Sequence, residues 1–235
     1  MHVIFSGEGA TDMGIVDGEH FRIGPMAKVA DLWMERKLGY SITDSNSFTL
    51  TGKKELVAKA KSIKTRNRRG KKAPPETKYF FKNARALARI ALELSQESND
   101  PAVIAILFRD ADGTASAGRG NWDAKHQSMV AGFEIEQFAN GVPMLPKPKS
   151  EAWVLCALFN RYQHCTQLEN RSGNDRSPNN LKNQLESLLG EPATRTLLNE
   201  KIDEGLIGIE NITDMPSMDT FKRRLNEVLD QYMAD

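Results

Sequence analysis

The chain has no apolar run approaching the roughly 18–20 residues needed to cross a bilayer. Its N-terminus, MHVIFSGEG, turns polar too soon for a secretory leader. Membrane and secreted classes are set aside, and a cytoplasmic location is expected. Cysteine is scarce: Cys156 and Cys165 are the only two, without a second pair or a histidine at zinc-finger spacing. Neither a disulfide framework nor structural zinc is expected. No GxxxxGK[ST] segment occurs, which excludes ATP binding by a P-loop. His2, His20, His126 and His164 are scattered, and none joins a Ser or Cys in a nucleophile motif, so they read as structural or surface residues. What is present is ordinary globular composition: 235 residues, 40% hydrophobic and 27% charged, the size of one elaborated domain. The net charge of +1 hides an asymmetry, because Lys53 to Lys78 holds eleven Lys and Arg against only Glu55 and Glu76.

Apolar spacing divides the chain into alternating elements. HVIFS (2–6) reads as a buried strand feeding the turn GEGATDMG, and Pro25 to Gly39 as a helix opened by Pro and closed by Gly. Residues 41–52 fit a strand or a loop, and Lys53 to Ile63 a helix. The basic stretch that follows, about 59–78, with Gly70 and Pro74-Pro75, reads as an exposed, mobile connection. Tyr79 to Ser98 has helical spacing, and AVIAILF before Arg109 is a continuous apolar run suited to a central parallel strand. A Gly-rich stretch, 113–120, reads as a flap over a site. Asp123 to Asn140 follows as a helix, VPML (142–145) as a strand, and Pro148 and Ser150 open the helix EAWVLCALFNRY. Helical patterns recur at 178–189, 192–204 and 217–232. The expected fold is α/β: a mostly parallel sheet flanked by helices over residues 1–160, with a helical C-terminal extension over 161–235 packed on it.

In open parallel sheets, reacting groups gather beyond the carboxyl ends of the strands. Two strand ends here carry acids, Glu8 with Asp12 and Asp110 with Asp112. An extended Asp110-Ala111-Asp112 projects both carboxylates to one side, toward a hard cation such as Mg²⁺ or Mn²⁺. Clustered carboxylates repel, and a divalent ion resolves the repulsion. Glu151, reaching the cluster from a helix start, would supply oxygens for two ions at the roughly 3.5–4 Å separation used in phosphodiester hydrolysis.

The combination of a strand then GEGATD, a later strand then RDADG, and PKSEAW at a helix start resembles the TOPRIM superfamily over about residues 1–155. Its EGxTD form, Glu8-Gly9-Ala10-Thr11-Asp12, is more similar to the OLD (overcoming lysogenization defect) nucleases and stand-alone TOPRIM-like proteins of bacterial defence loci. The resemblance implies a TOPRIM-like fold and a metal-dependent nuclease. In it Glu8 binds metal or acts as general base, and Asp12, Asp110, Asp112 and Glu151 hold one or two Mg²⁺ or Mn²⁺ ions. It also implies an assisting lysine, for which Lys147, Lys149 and Lys222 are candidates and Lys222 matches the family order best. Unlike the larger OLD nucleases the chain has no ATPase segment, so nucleotide control would require a separate ATPase partner. A second copy of the chain would serve where both strands of a duplex are cut.

The basic stretch, with Arg66, Arg68 and Arg69, reads either as a solvated loop or as a phosphate-neutralising arm, and the acids nearby favour the arm. Arg109, Lys147 and Lys149 lie closer to the expected centre and are candidates to orient a phosphate. Trp33 and Trp153 read as core, and Trp122 as a residue able to stack on a base. Two rival readings remain: a non-catalytic metal- and nucleic-acid-binding regulatory subunit, and a primase-like nucleotidyl transferase.

Overall fold

The computed structural model describes residues 1–7, 9, 11–17, 20–63, 75–99, 102–111, 121–159 and 163–233. Glu8, Asp112, Arg66, Arg68, Arg69 and the stretch 113–120 lie outside the described residues. The chain runs β1 (His2–Ser6), β2 (Gly14–Asp17), β3 (His20–Ile23), α1 (Pro25–Leu38), β4 (Phe48–Thr51), α2 (Lys53–Ser62), α3 (Pro75–Ser98) and β5 (Val103–Phe108). It continues through α4 (Trp122–Ile135), β6 (Gly141–Met144), α5 (Ser150–Leu158), α6 (Thr166–Glu169), α7 (Leu181–Leu189), α8 (Arg195–Asp203), a 3-10 turn (Ile209–Asn211) and α9 (Pro216–Met233). No helix among the described residues is long and apolar enough to cross a membrane.

Four strands form one parallel sheet in the order β4-β1-β5-β6. β5 is central and buried at all six positions, which is why its sequence is apolar without alternation. Its side chains still divide by parity. Ile104, Ile106 and Phe108 join Val3 and Phe5 in one core, while Val103, Ala105 and Leu107 join Ile4 in the other. Burying each of the larger aliphatic chains stabilises the fold by roughly 1.5–3 kcal/mol before entropy is subtracted. α1 and α5 cover the first face; α2, α3 and α4 cover the second. The connection leaving β1 therefore crosses one face toward β4, and the connection leaving β5 crosses the other face toward β6. The sheet's topological switch point lies between β1 and β5, and a crevice opens there beyond their carboxyl ends.

On the second face, α3 and α4 approach closely because Gly132 has no side chain. A Cβ there would stand 2.5 Å from the Phe81 carbonyl oxygen and 2.6 Å from the Ala84 Cβ. On the first face the C-terminal helices share one core with the sheet, since Leu185, Leu198, Phe221 and Leu229 cluster with Phe5 and Ile106. Trp153 is fully buried, donates from Nε1 to Ser217 Oγ (2.8 Å) and stacks on Phe221.

Several expectations are corrected. The hairpin β2–β3 was not anticipated, although Asp17-Gly18 between two apolar-rich segments is a turn signal. Residues 75–78 belong to α3 rather than to a mobile connection, with Pro75 at the helix's first position, where its missing N–H costs nothing. α4 stops at Ile135 rather than near 140. Gln137 takes a left-handed φ of 56°, and Phe138 N donates back to Phe133 O, a Schellman closure reinforced by the Phe133–Phe138 ring contact. Cys156 and Cys165 are joined in a disulfide. Two cysteines exclude a framework but not one bridge, and both are fully buried where α5 meets the start of α6.

Candidate metal-carboxylate site

Asp12 is held by the backbone around it. Met26 N donates to the Asp12 carbonyl (2.9 Å), so the first turn of α1 has a donor satisfied by this loop, and Gly24 N donates to Met13 O (3.0 Å). A Cβ on Gly24 would fall 2.2 Å from the Asp12 carbonyl oxygen, and Gly14 takes a φ of 113° against the Arg22 carbonyl. These two glycines let the hairpin and α1 press against the Asp12 loop.

Asp110 follows β5, where the backbone stays paired: Arg109 N donates to Met144 O (3.0 Å) and Ala111 N to Pro146 O (3.1 Å). Lys125, buried on α4, donates to the Ala111 carbonyl and lies over the Phe80 ring.

Ser150, the first residue of α5, joins the two strand ends. Its N–H donates to Asp110 Oδ1 (3.0 Å), its hydroxyl lies 3.0 Å from Asp12 Oδ1 and 3.5 Å from Glu151 Oε2. The positive end of α5 thus faces three acids brought from β1, β5 and α5 itself. Asp110 carries the electrostatic consequence. Burial first, then the charges of Asp12 and Glu151, raise its pKa well above the ordinary 3.8, against the opposing pull of the Ser150 N–H and Lys149.

Lys149 is the predicted lysine nearest these acids. Burial opposes its charge, but a hydrogen bond to Asp175 (2.7 Å) and the fields of Glu151, Asp175 and Asp110 raise its pKa. Lys222, the lysine that best matched the expected order, sits elsewhere: its ammonium donates to the Ile209 (2.9 Å) and Ile212 (3.2 Å) carbonyls and lies 4.9 Å from the Trp33 ring centroid. Arg109, expected at a phosphate, is 1% exposed, donates to the Phe108 carbonyl and lies over Tyr79. Lys147 is half-buried between Pro146 and Pro148 and has no hydrogen-bond or ion-pair partner among the described residues. Trp122 stacks on His126 and donates to the Leu145 carbonyl (2.7 Å), so its ring is already packed.

Sequence reasoning passed over four residues at or near this centre. The sequence marks Ser150 only as a helix opener. Lys125 carries a usable signal: it falls at i, i+4, i+7 and i+8 spacing with Met129, Gly132 and Phe133 on the buried face of α4, where an unexplained lysine stands out. Lys182 and Arg195 line a cavity of about 470 Å³ with Thr11, beside Asp12. Nothing in their local sequence marks them, since single cations on amphipathic helices are ordinary.

Among the described residues no three His, Cys, Asp or Glu side chains stand at ligating distance from one point. Glu8 and Asp112, on either side of this crevice in sequence, are outside those residues. The larger cavity, about 590 Å³, lies elsewhere, between α4 and α9. No family model, curated protein or solved structure matches the chain.

Proposed function

We propose that this protein is a divalent-metal-dependent nuclease built on a TOPRIM-like sheet. The observation that carries the reading is the convergence of Asp12, Asp110 and Glu151 on Ser150 at the switch point between β1 and β5. The donor set suits Mg²⁺ or Mn²⁺: hard carboxylate oxygens, with the Asp110 pKa raised by burial first and then by the charges of Asp12 and Glu151, a repulsion that a divalent ion would relieve. Asp12, Asp110 and Glu151 would hold the ion together with Glu8 and Asp112. When bound it supplies an activated water and neutralises charge developing on the phosphate.

The chain's own groups do the rest. Lys149, held by Asp175 beside the acids, orients a phosphate oxygen. Lys182 and Arg195 line, together with Glu186, the cavity that Thr11 borders, and would be the cations there for the flanking backbone of a nucleic acid. The sequence has no GxxxxGK[ST] segment, so nucleotide control, where needed, would fall to a separate ATPase partner. A role as a cytoplasmic effector of anti-phage defence follows from the likeness of Glu8 to Asp12 to defence nucleases.

The test is cleavage of plasmid DNA and total RNA with Mg²⁺, Mn²⁺ or EDTA. Metal-dependent cutting by the native chain, reduced by about 100-fold or more in Asp110→Asn and Glu8→Ala, supports the reading. Tight metal binding with no cutting, alone or with an ATPase, would make it a regulatory subunit. Incorporation of labelled nucleotide would make it a transferase.

A further inference from the structure

Lys125 is buried near the start of α4 (5% exposed), on a face whose other buried residues are Met129, Gly132 and Phe133. Taking an ammonium out of water is costly unless its surroundings favour the charge. Its Nζ donates to the Ala111 carbonyl and lies 5.7 Å from the Phe80 ring centroid. Those contacts place the cation at the end of β5, next to the residue that precedes Ala111. That residue is Asp110, which lies in the repelling fields of Asp12 and Glu151.

The sheet explains why the Ala111 carbonyl takes its donor from a side chain. Along β5 and β6 the parallel register sets Ala105 opposite Gly141 and Leu107 opposite Pro143. Two further bonds follow in the same register, from Arg109 N to Met144 O (3.0 Å) and from Ala111 N to Pro146 O (3.1 Å). A parallel ladder would return a bond to the Ala111 carbonyl from the N–H two residues beyond Pro146. The residue at that position is Pro148, which has no N–H. Lys125 supplies the donor instead, from a helix start that is itself fixed. Asn121 accepts from Ala124 N (2.9 Å), and Trp122 donates to the Leu145 carbonyl (2.7 Å) on the same stretch of chain.

We propose that Lys125 is a positioning residue of the carboxylate site: by holding the Ala111 carbonyl it fixes the backbone from which Asp110 projects, and with it the approach of the Asp110 carboxylate to a divalent ion. The role rests on the metal-binding reading of the site. Lys125 acts through the backbone of the 110–111 segment, in the way that groups behind a metal ligand orient it.

Charge and position predict opposite signs. Removing a cation from beside an anionic site tightens Mg²⁺ where charge alone matters, whereas releasing the Ala111 carbonyl weakens it. The full chain is titrated with Mg²⁺ by calorimetry, native against Lys125→Met, which keeps most of the stem and loses the ammonium. The Kd for Mg²⁺ rises about tenfold in the variant, and the Mg²⁺ concentration for half-maximal cleavage rises in step. Trp122→Phe is the control for general loosening of α4, because it removes the neighbouring bond to Leu145: its urea midpoint falls while its Kd stays within about twofold of native. Where circular dichroism shows that Lys125→Met does not fold, Lys125→Gln, shorter and neutral, takes its place and weakens Mg²⁺ by about threefold or more. No Mg²⁺ binding by the native chain overturns the metal reading of the site and this role with it. Native binding that is unchanged or tightened in the Lys125 variant, or weakened equally in Trp122→Phe, overturns the positioning role alone.

Discussion

Glu136, where α4 ends, and Asp110, where β5 ends, are acids in crowded surroundings that the fold treats in opposite ways. The Glu136 side chain is 2% exposed and both of its oxygens meet guanidinium groups, Arg85 at Oε1 and Arg89 at Oε2. Asp31 and Glu169 follow the same rule by other means. Asp31 accepts from the Ser41 hydroxyl (2.7 Å) and the Ile42 N–H (2.8 Å), and Glu169 accepts from the Ser217 N–H (2.8 Å) at the start of α9. Asp110 instead has Asp12 and Glu151 as neighbours and receives one backbone N–H. The chain supplies partners for the acids that join its helices and gathers like charges at the strand ends. Like charges gathered at one place, with Lys149 beside them, in a fold that pairs its other buried acids, mark Asp110 as a candidate functional acid.

Substituting one acid from each region breaks the comparison most sharply. Glu136→Ala strands two arginines between α3 and α4, and unfolding in urea is expected to show a loss of about 3 kcal/mol, the lower end for a broken buried pair because Arg89 is half exposed. Asp110→Asn removes repulsion rather than attraction, so the metal-free protein is expected to keep its stability or gain some. Equal losses in the two variants would show that Asp110 is a structural acid like the others.

The same contrast has a pH signature. Because the folded-state pKa of Asp110 is raised above 3.8, its contribution to stability is fully present below that value and is lost as pH rises through the raised pKa. Under the proposed metal-dependent reading, Mg²⁺ would take the proton's place. The thermal stabilisation by Mg²⁺ is therefore expected to be larger at about pH 8 than at about pH 5, reaching about 2.7 kcal/mol at a hundredfold excess over Kd. Asp110→Asn should flatten both the metal effect and its pH dependence. A Mg²⁺ shift that is independent of pH, or undiminished in the variant, would place the ion away from Asp110.

Much of this frame was legible in the residues, for reasons that differ by element. β5 was readable because a strand covered on both faces has to be apolar throughout, and α1 because Pro25 and Gly39 mark its two ends. The positions of Asp12 and Asp110 followed from the rule that parallel sheets gather their chemistry beyond strand ends, and Glu151 was offered from a helix start and by the family resemblance. The hairpin β2–β3 was hidden by its short strands. The fate of the cations was hidden by tertiary contacts: only packing decides that Arg109 turns inward over Tyr79 while Lys149 stays by the acids. Ser150 illustrates the same limit. A serine at a helix start is locally ambiguous, and its role as a bridge between Asp12 and Asp110 exists only once β1 and β5 are neighbours.

The two lysines give the smallest and most discriminating comparison. Lys149 and Lys222 are both partly buried, but the first lies in the field of Glu151 and Asp110, whereas burial lowers the pKa of the second, whose ammonium is held by two carbonyls and an indole. A lysine that orients phosphate acts on the reaction; a lysine that fastens α9 to the 209–212 turn and to Trp33 acts on the fold. Lys149→Met is therefore expected to lower metal-dependent cleavage by about tenfold with little change in urea midpoint, since one charge-assisted contact to phosphate is worth about 1.5 kcal/mol. Lys222→Met should leave cleavage within about twofold and lower stability by about 1 kcal/mol, a typical loss for a partly buried polar contact. The reverse outcome would return the assisting role to Lys222 and require α9 to move toward the strand ends when nucleic acid binds.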